Sequence, residues 1–144
     1  MIKLRSAFES RPHFVITTDA DIRCDEFADF KQVYTIPDIG QGRWRAHPIK
    51  LTVAVVKVLW IFLREKPGFL LSTGSGIAVP CFFWAYFMHI KSIYVEAGTR
   101  FRTLSETGRF CYYFADLFFV QHTGLLVNWP KAVYHGALYG NLTT

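Results

Sequence analysis

A small-residue turn near the middle of the chain has the residue types of an anion-binding loop. Thr73-Gly74-Ser75-Gly76 follows an apolar run ending at Leu71 and precedes an apolar helix-length segment. Glycines let the backbone approach a phosphate, the two hydroxyls can donate hydrogen bonds, and a helix N-terminus favours negative charge. The turn lacks the Lys-Ser/Thr ending of a P-loop and the third glycine of a dinucleotide fingerprint. Its spacing therefore leaves two interpretations open, a ligand contact and a tight turn that only packs.

A second group of reactive side chains follows the next apolar run. Glu96, Thr99 and Arg100 come directly after Ser92–Val95. A carboxylate in this position can bind sugar hydroxyls or act as a general base, and an arginine can clamp a phosphate. The alternative is that Glu96 pairs with Arg100 or Arg102 and only orders the loop.

A histidine follows the run after that. His122 comes just after Leu117–Val120, and ligands bind at the carboxyl ends of parallel strands, so we include it among the candidate ligand contacts. The five histidines show no HxxxH or HExxH spacing, and we predict no metal site and no cofactor. Asp116, at the start of the same run, is expected to be a structural hydrogen-bonding residue rather than a catalyst.

Strands and helices alternate along the chain. Six short β-branched or aromatic runs have strand length: His13–Thr17, Gln32–Ile36, Phe69–Ser72, Ser92–Val95, Leu117–Val120 and Ala132–Tyr134. Helix-length segments lie between them, at Asp21–Phe30, Pro48–Lys66, Ser75–Met88 and Leu104–Asp116. This alternation predicts an α/β fold with a Rossmann-like, mostly parallel sheet flanked by helices.

The composition is that of one folded domain. A length of 144 residues supports a single core, and apolar and aromatic fractions of 51% and 17% exclude a disordered chain. The net charge of +5 favours an anionic partner but leaves nucleic acid, an acidic membrane surface and phosphorylated substrates open. Three widely spaced cysteines favour a reducing, cytosolic environment. We expect residues 1–144 to form one domain.

Five sequence elements carry a resemblance to a known family. STGSGIAVP, YVE, LSETGR, ADLFFVQ and PKAVYHG occur between Leu71 and about Gly136, in the order and spacing of that family. The chain resembles the non-catalytic subunit of the bipartite N-acetylglucosaminyltransferase of dolichol-linked oligosaccharide assembly. It is more similar still to the bacterial relatives of that subunit in capsule and exopolysaccharide synthesis. The similarity is less distinct around His47–Pro67, where the family has an NP helix and an EKPD turn and this chain reads HPIK and EKPG.

The resemblance implies the amino-terminal half of a split GT-B glycosyltransferase, a subunit that is active as an enzyme only with a partner. Such a subunit lies peripherally on the cytosolic face of a membrane and binds a polyprenyl- or dolichyl-pyrophosphate-linked sugar acceptor. A small catalytic partner binds the UDP-sugar. A more distant likeness to the amino-terminal half of the peptidoglycan N-acetylglucosaminyltransferase supports this layout. On this basis we predict a catalytic role for Glu96 and acceptor-binding roles for Thr73, Gly74, Ser75, Gly76, Thr99, Arg100 and His122.

The long predicted helix at 48–66 has the pattern of a membrane-surface helix. Lys50, Lys57 and Arg64 are spaced by seven and fall on one stripe beside a broad apolar face. Such a helix suits an anionic interface. The alternative is a wholly buried crossover helix. We predict membrane contact by Arg43, Arg45, Lys50, Lys57 and Trp60.

One element of the family pattern is not found in this chain. Family members begin with a strand and an SSGGH loop, and MIKLRSAFE resembles the end of the helix behind that loop. In Rossmann strand order, His13–Thr17 and Phe69–Ser72 would flank the position of that central strand. We therefore expect a longer gene product, because otherwise these two strands must pair directly or leave buried backbone groups unpaired.

A function of another class is also open, namely a basic adaptor that binds a membrane surface or nucleic acid without chemistry. Nucleic-acid binding would need clustered basic and exposed aromatic residues or a recognisable reading motif. The aromatics of this chain lie inside predicted strands and apolar helices. We therefore favour the glycosyltransferase subunit, with no nucleic-acid partner.

Overall fold

The computed structural model describes residues 12–19, 30, 32–39 and 47–136. The strands are β1 (Val15–Thr18), β2 (Val33–Ile36), β3 (Phe69–Ser72), β4 (Lys91–Val95), β5 (Leu117–Val120) and β6 (Ala132–Tyr134). The helices are α1 (Pro48–Glu65), α2 (Ala78–Phe87) and α3 (Glu106–Phe114), with a short 3₁₀ turn at Thr123–Leu125. The helix predicted at 21–30 lies, apart from its last residue, outside the described residues, as do Cys24, Arg43 and Arg45.

Every described strand pair is parallel. β3, β4, β5 and β6 form one sheet in that order, and β1 pairs with β2 in a second sheet. This confirms the predicted Rossmann-like α/β fold. The six strand positions are also confirmed, with ends that move by one or two residues for β1, β2 and β4.

The β1–β2 pair is not hydrogen-bonded to the four-stranded sheet within the described residues. Direct pairing of β1 with β3, one of the two arrangements expected without a central strand, is therefore not what the chain adopts. A strand between them in a longer product stays a prediction.

Helix α1 has the start and stop signals that its sequence indicates. Pro48 occupies the first turn, where its missing N–H removes no hydrogen bond. Lys66 closes the helix in the left-handed conformation, with a φ of 47°, and donates its N–H to the Phe62 carbonyl. Pro67 then prevents continuation.

Helix α2 joins the two hydrophobic cores. Ala78 and Phe82 pack with Tyr94 and Phe118 against α3, whereas Cys81 and Ala85 pack with residues of α1 and β2. The helix begins at Ala78, three residues later than predicted, because the Ala78 amide donates to the Ser75 carbonyl in a separate turn. This turn leaves residues 73–77 as the loop between β3 and α2.

Asp116 ties the beginnings of β4 and β5 together. One carboxylate oxygen accepts from the Ser92 amide at 2.8 Å and the Ser92 hydroxyl at 3.2 Å, and the other lies 3.3 Å from Lys91 Nζ. Burial acts to raise the pKa of Asp116, but the hydrogen bonds from Ser92 and Lys91 outweigh it and hold the pKa below its ordinary value. The structural role expected for Asp116 is what the contacts show.

We expect Asp116→Asn to lower the free energy of unfolding by roughly 1 kcal/mol, because the amide replaces a charged acceptor of the Ser92 hydrogen bonds. The difference between the two proteins should shrink as pH falls through the lowered pKa of Asp116, since the stabilising charge is then lost. Urea unfolding between neutral and acidic pH measures both effects. Lys91→Met, which removes only an exposed ion pair, should change stability much less. Equal losses in the two variants would assign the effect to the ion pair.

Candidate functional site

The three predicted groups of reactive residues meet at one edge of the sheet. β3, β4 and β5 are adjacent and parallel, so the segments after their carboxyl ends lie side by side. These segments are the glycine loop (73–77), the loop from Glu96 to Leu104, and the turn that begins at Gln121. We call the whole edge the strand-end site.

The glycine loop lies directly on the end of β4. Gly74 has a φ of +87°, and a Cβ added there would be 3.2 Å from the Tyr94 hydroxyl and 3.6 Å from the Val95 carbonyl. A glycine is thus required both by the backbone conformation and by the close approach. Among the described residues, no acceptor receives the backbone amides of Ser75, Gly76 and Ile77. Free amides at a helix start are the donors that an anion would use.

The predicted loop residues differ in accessibility. Gly74 is exposed, and Thr73 and Ser75 are half-buried. Gly76 is buried, so it can only bring the backbone close and offers little surface of its own. Thr73, Gly74 and Ser75 are therefore the part of this loop that a ligand can contact.

Glu96 is enclosed by hydrogen-bond donors. Its side chain is 1% exposed, yet Oε1 accepts from the Ala97 amide at 3.1 Å and the Ser105 hydroxyl at 3.1 Å. Oε2 accepts from the Ser105 amide at 3.3 Å. Within the described residues it forms no ion pair with Arg100 or Arg102, the alternative partners that the sequence suggested.

The electrostatics of Glu96 combine two opposing effects. Burial raises the pKa of its carboxyl group above the ordinary value, although hydrogen bonds from Ala97 and Ser105 act in the opposite direction. The carboxylate also lies at the N-terminus of α3, whose dipole favours a negative charge. Its catalytic role stays a prediction.

A buried hydroxyl lies beside this carboxylate, beneath the glycine loop. Tyr94 is fully buried, its ring stacks on Phe118 at a centroid distance of 4.9 Å, and its Oη has no hydrogen-bond partner among the described residues. Burial, with the nearby Glu96 as a secondary cause, raises the pKa of Tyr94, so the phenol stays protonated. Tyr94 therefore fills the space under Gly74 without a hydrogen bond of its own.

The loop after β4 is also held from the β5 side. The Gln121 side-chain amide donates to the Glu96 carbonyl at 2.9 Å, and His122 Nε2 lies 2.6 Å from the Gly98 carbonyl. Because a carbonyl only accepts, Nε2 carries the proton in this contact. The His122 ring also packs on Phe101 at 4.2 Å. His122 thus lies at the strand-end site, and these contacts are with the loop after β4.

Thr99 and Arg100 project from this loop and are both exposed. The Arg100 amide closes a turn by donating to the Ala97 carbonyl at 3.1 Å. Their side chains are consequently free to contact a ligand at the edge where the glycine loop also lies.

Sequence reasoning missed four residues that build the site: Tyr94, Ser105, Gly108 and Gln121. The roles of Ser105 and Gly108 could have been predicted, since a serine before Glu106 is typical of a helix N-cap. In the structure the Ser105 hydroxyl accepts from the Gly108 amide at 2.9 Å. Tyr94 and Gln121 read as ordinary residues in and after a strand. Their roles depend on neighbours from other strands.

The described residues hold no group of three or more histidine, cysteine, aspartate or glutamate side chains suited to a metal ion. Cys81 and Cys111 are free and buried, and burial raises the pKa of Cys81 to about 12. Neither thiol is reactive at neutral pH in this environment.

We expect Gly108→Ala to destabilise the protein by roughly 1–3 kcal/mol, because the added Cβ would lie 1.9 Å from Glu96 Oε2 in a packed interior. Helix propensity alone predicts a gain of about 1 kcal/mol for the same change. Gly68→Ala is the matched control, since nothing lies within 4 Å of its added Cβ. Thermal or urea unfolding compares the two. A stable Gly108→Ala protein would mean that Glu96 does not occupy the space against α3.

Comparison with known proteins identifies the family. The chain matches the family described as oligosaccharide biosynthesis protein Alg14 like over residues 10–138. The UDP-N-acetylglucosamine transferase subunit ALG14 of Kluyveromyces lactis is 39% identical over 82 residues, which cover 53% of this chain and 35% of the relative. The human protein of the same name is 36% identical over 81 residues, covering 52% of this chain and 38% of the relative. The matched region thus spans little more than a third of these curated relatives.

The resemblance to this family seen in the sequence is confirmed, because the family match includes all five motif elements and extends over all of the described residues. The chain belongs to the Alg14-like family of oligosaccharide biosynthesis proteins.

Proposed function

We propose that this chain is the acceptor-binding subunit of a two-component glycosyltransferase that uses UDP-N-acetylglucosamine. The donor follows from the relatives, which are named UDP-N-acetylglucosamine transferase subunits. The acceptor is a polyprenyl- or dolichyl-pyrophosphate-linked sugar. A small partner supplies the nucleotide-sugar site and the catalytic half of the enzyme.

The observation that supports this proposal most strongly is the composition of the strand-end site. Thr73, Gly74 and Ser75 present hydroxyls and backbone amides on one loop, and Thr99 and Arg100 present a hydroxyl and a guanidinium on the next. Amides at a helix start together with an arginine are suited to a pyrophosphate. Hydroxyl groups are suited to the attached sugar.

The fold supports the two-component arrangement. A GT-B active site lies between two Rossmann-like domains, and the described residues form the parallel strands and helices of one. The donor side must then come from another polypeptide or from a further part of a longer protein.

Helix α1 supports a peripheral position on the membrane. Ala54, Val58, Ile61 and Phe62 face the protein interior, whereas an outer stripe is apolar and solvent-exposed. The stripe consists of Ile49, Val53, Val56, Trp60 and Leu63. None of the helices within the described residues is long and apolar enough to traverse a bilayer.

The charges on α1 favour an anionic lipid surface as the partner that covers the apolar stripe. They disfavour α1 of a second copy of this chain in that place. Lys50, Lys57 and Arg64 are exposed along one border of the stripe, and the Arg64 guanidinium lies 5.2 Å from the Trp60 ring. No exposed carboxylate lies on α1, where Glu65 is the one acidic residue and is mostly buried. Two copies of α1 would bring like charges together, whereas acidic headgroups complement them. These cations would face the cytosolic leaflet. The membrane contact predicted for Arg43 and Arg45 concerns residues outside the described ones.

The purified chain should transfer no sugar alone and should do so with its partner. The assay uses radiolabelled UDP-N-acetylglucosamine, a polyprenyl-pyrophosphate-linked N-acetylglucosamine acceptor, and the small UDP-sugar-binding protein recovered with the chain from its native host. We expect turnover only when all three are combined with the chain. Robust turnover by the isolated chain, or copurification of nucleic acid in place of such a protein, would contradict the proposal.

Flotation with vesicles containing acidic phospholipid should show salt-sensitive binding of the chain, because each basic residue near such a surface contributes about 1 kcal/mol. Lys57→Glu should weaken binding about tenfold or more. Trp60→Glu should also weaken binding, because it places a charge in the apolar stripe. Val127→Glu is the matched control, since Val127 is 84% exposed and lies outside the three helices. If Val127→Glu weakens binding as much as Trp60→Glu, or if no binding occurs at low salt, α1 is not the lipid contact.

A further inference from the structure

We propose that Glu96 is a positioning residue, whose buried carboxylate holds the loop carrying Thr99 and Arg100 in place, rather than the general base of the reaction. The proposal rests on the proposed function for its kinetic readout only. The contacts of Glu96 with α3 and with its own loop support it independently.

Three donors within the protein bind the oxygens of Glu96. The Ser105 hydroxyl accepts from the Gly108 amide at 2.9 Å, so its own proton points to Glu96, 3.1 Å away. The amides of Ala97 and Ser105 complete the set of donors. A base needs an oxygen within hydrogen-bond reach of the substrate proton, and these oxygens are directed at the loop and at α3.

Access to the carboxylate is blocked by the packing of α3. Gly108 lies so close that even a methyl group on it would overlap Glu96 Oε2. Glu96 is 1% exposed, while Thr99 and Arg100, a few residues further along, are exposed. A substrate hydroxyl could reach Glu96 only if the first turn of α3 moved away.

The same contacts fix the loop at both of its ends. The Ala97 amide binds Glu96 where the loop begins, and Ser105 binds Glu96 where the loop ends. On the β5 side, His122 holds the Gly98 carbonyl. Thr99 and Arg100 lie between these anchors, so their position relative to the glycine loop depends on Glu96.

The two roles predict different kinetics for Glu96→Gln and Ser105→Ala in the reconstituted complex. Loss of positioning should raise KM for the lipid-linked acceptor about tenfold in both variants and leave kcat within about threefold, since the interactions removed serve binding. The acidic limb of the pH–rate profile should remain in Glu96→Gln. Loss of a base should instead lower kcat about a hundredfold in Glu96→Gln alone and remove that limb.

Glu106→Gln is the matched control, because Glu106 is an exposed carboxylate in the first turn of the same helix. It should leave both kcat and KM near the unmodified values. Glu96→Asp should restore part of the affinity, since a shorter carboxylate still accepts from some of the donors. A hundredfold fall in kcat at unchanged KM for Glu96→Gln, with Ser105→Ala fully active, would overturn the proposal.

Hydrogen exchange of the chain without its partner provides a readout that does not depend on transferase activity. The amides of Ala97, Ser105 and Gly108 should exchange faster in Glu96→Gln and Ser105→Ala than in the unmodified chain, and Glu106→Gln should leave them unchanged. Unaltered protection in both variants would overturn the positioning role. If the unmodified complex transfers no sugar but hydrogen exchange in the variants rises as expected, the proposed function is wrong. The role of Glu96 in holding the loop is then still supported.

Discussion

A carboxylate buried at the end of β4 must be surrounded by donors, and this requirement organises the strand-end site. An ionised group without such partners is strongly disfavoured in a protein interior. Glu96 meets the requirement with the amides of Ala97 and Ser105 and the Ser105 hydroxyl, which come from the two ends of one loop. Satisfying one side chain therefore sets the path of the loop and the starting point of α3. The glycine at 108 belongs to the same arrangement, since a Cβ there would lie 1.9 Å from Glu96 Oε2 in its present position.

Helices α1 and α2 differ in how much of their apolar surface is buried. Helix α2 buries residues toward both cores and carries no charged side chain, so it can be stable only between α1 and α3. Helix α1 buries one face and leaves five large apolar side chains exposed on another. Exposed apolar side chains are common singly, but a continuous stripe beside cations marks a contact surface. The fold thus keeps the strand-end site and the α1 stripe on separate elements.

Periodicity and turn signals predicted the parallel α/β fold, because short apolar runs and proline-bracketed helices depend on local sequence. Pro48 and Pro67 located α1 nearly to the residue. The start of α2 was placed three residues too early, since only the turn at Ser75 separates it from the glycine loop. The strand-end site was located because parallel strands end at one edge. The enclosure of Glu96 was not predicted, because its partners at 105 and 108 are distant in sequence and their approach depends on the packing of α3.

The two loops of the strand-end site both contact the end of β4. Gly74 packs against the Tyr94 hydroxyl and the Val95 carbonyl, and Glu96, the next residue, anchors the second loop. A shift of β4 at this point would therefore move both loops together. The Tyr94 ring resists such a shift, because it is fully buried between Phe82 and Phe118. Its hydroxyl supplies the surface on which the glycine loop rests. The hydroxyls, amides and guanidinium that we propose as ligand contacts thus depend for their relative positions on one buried aromatic side chain and one buried carboxylate.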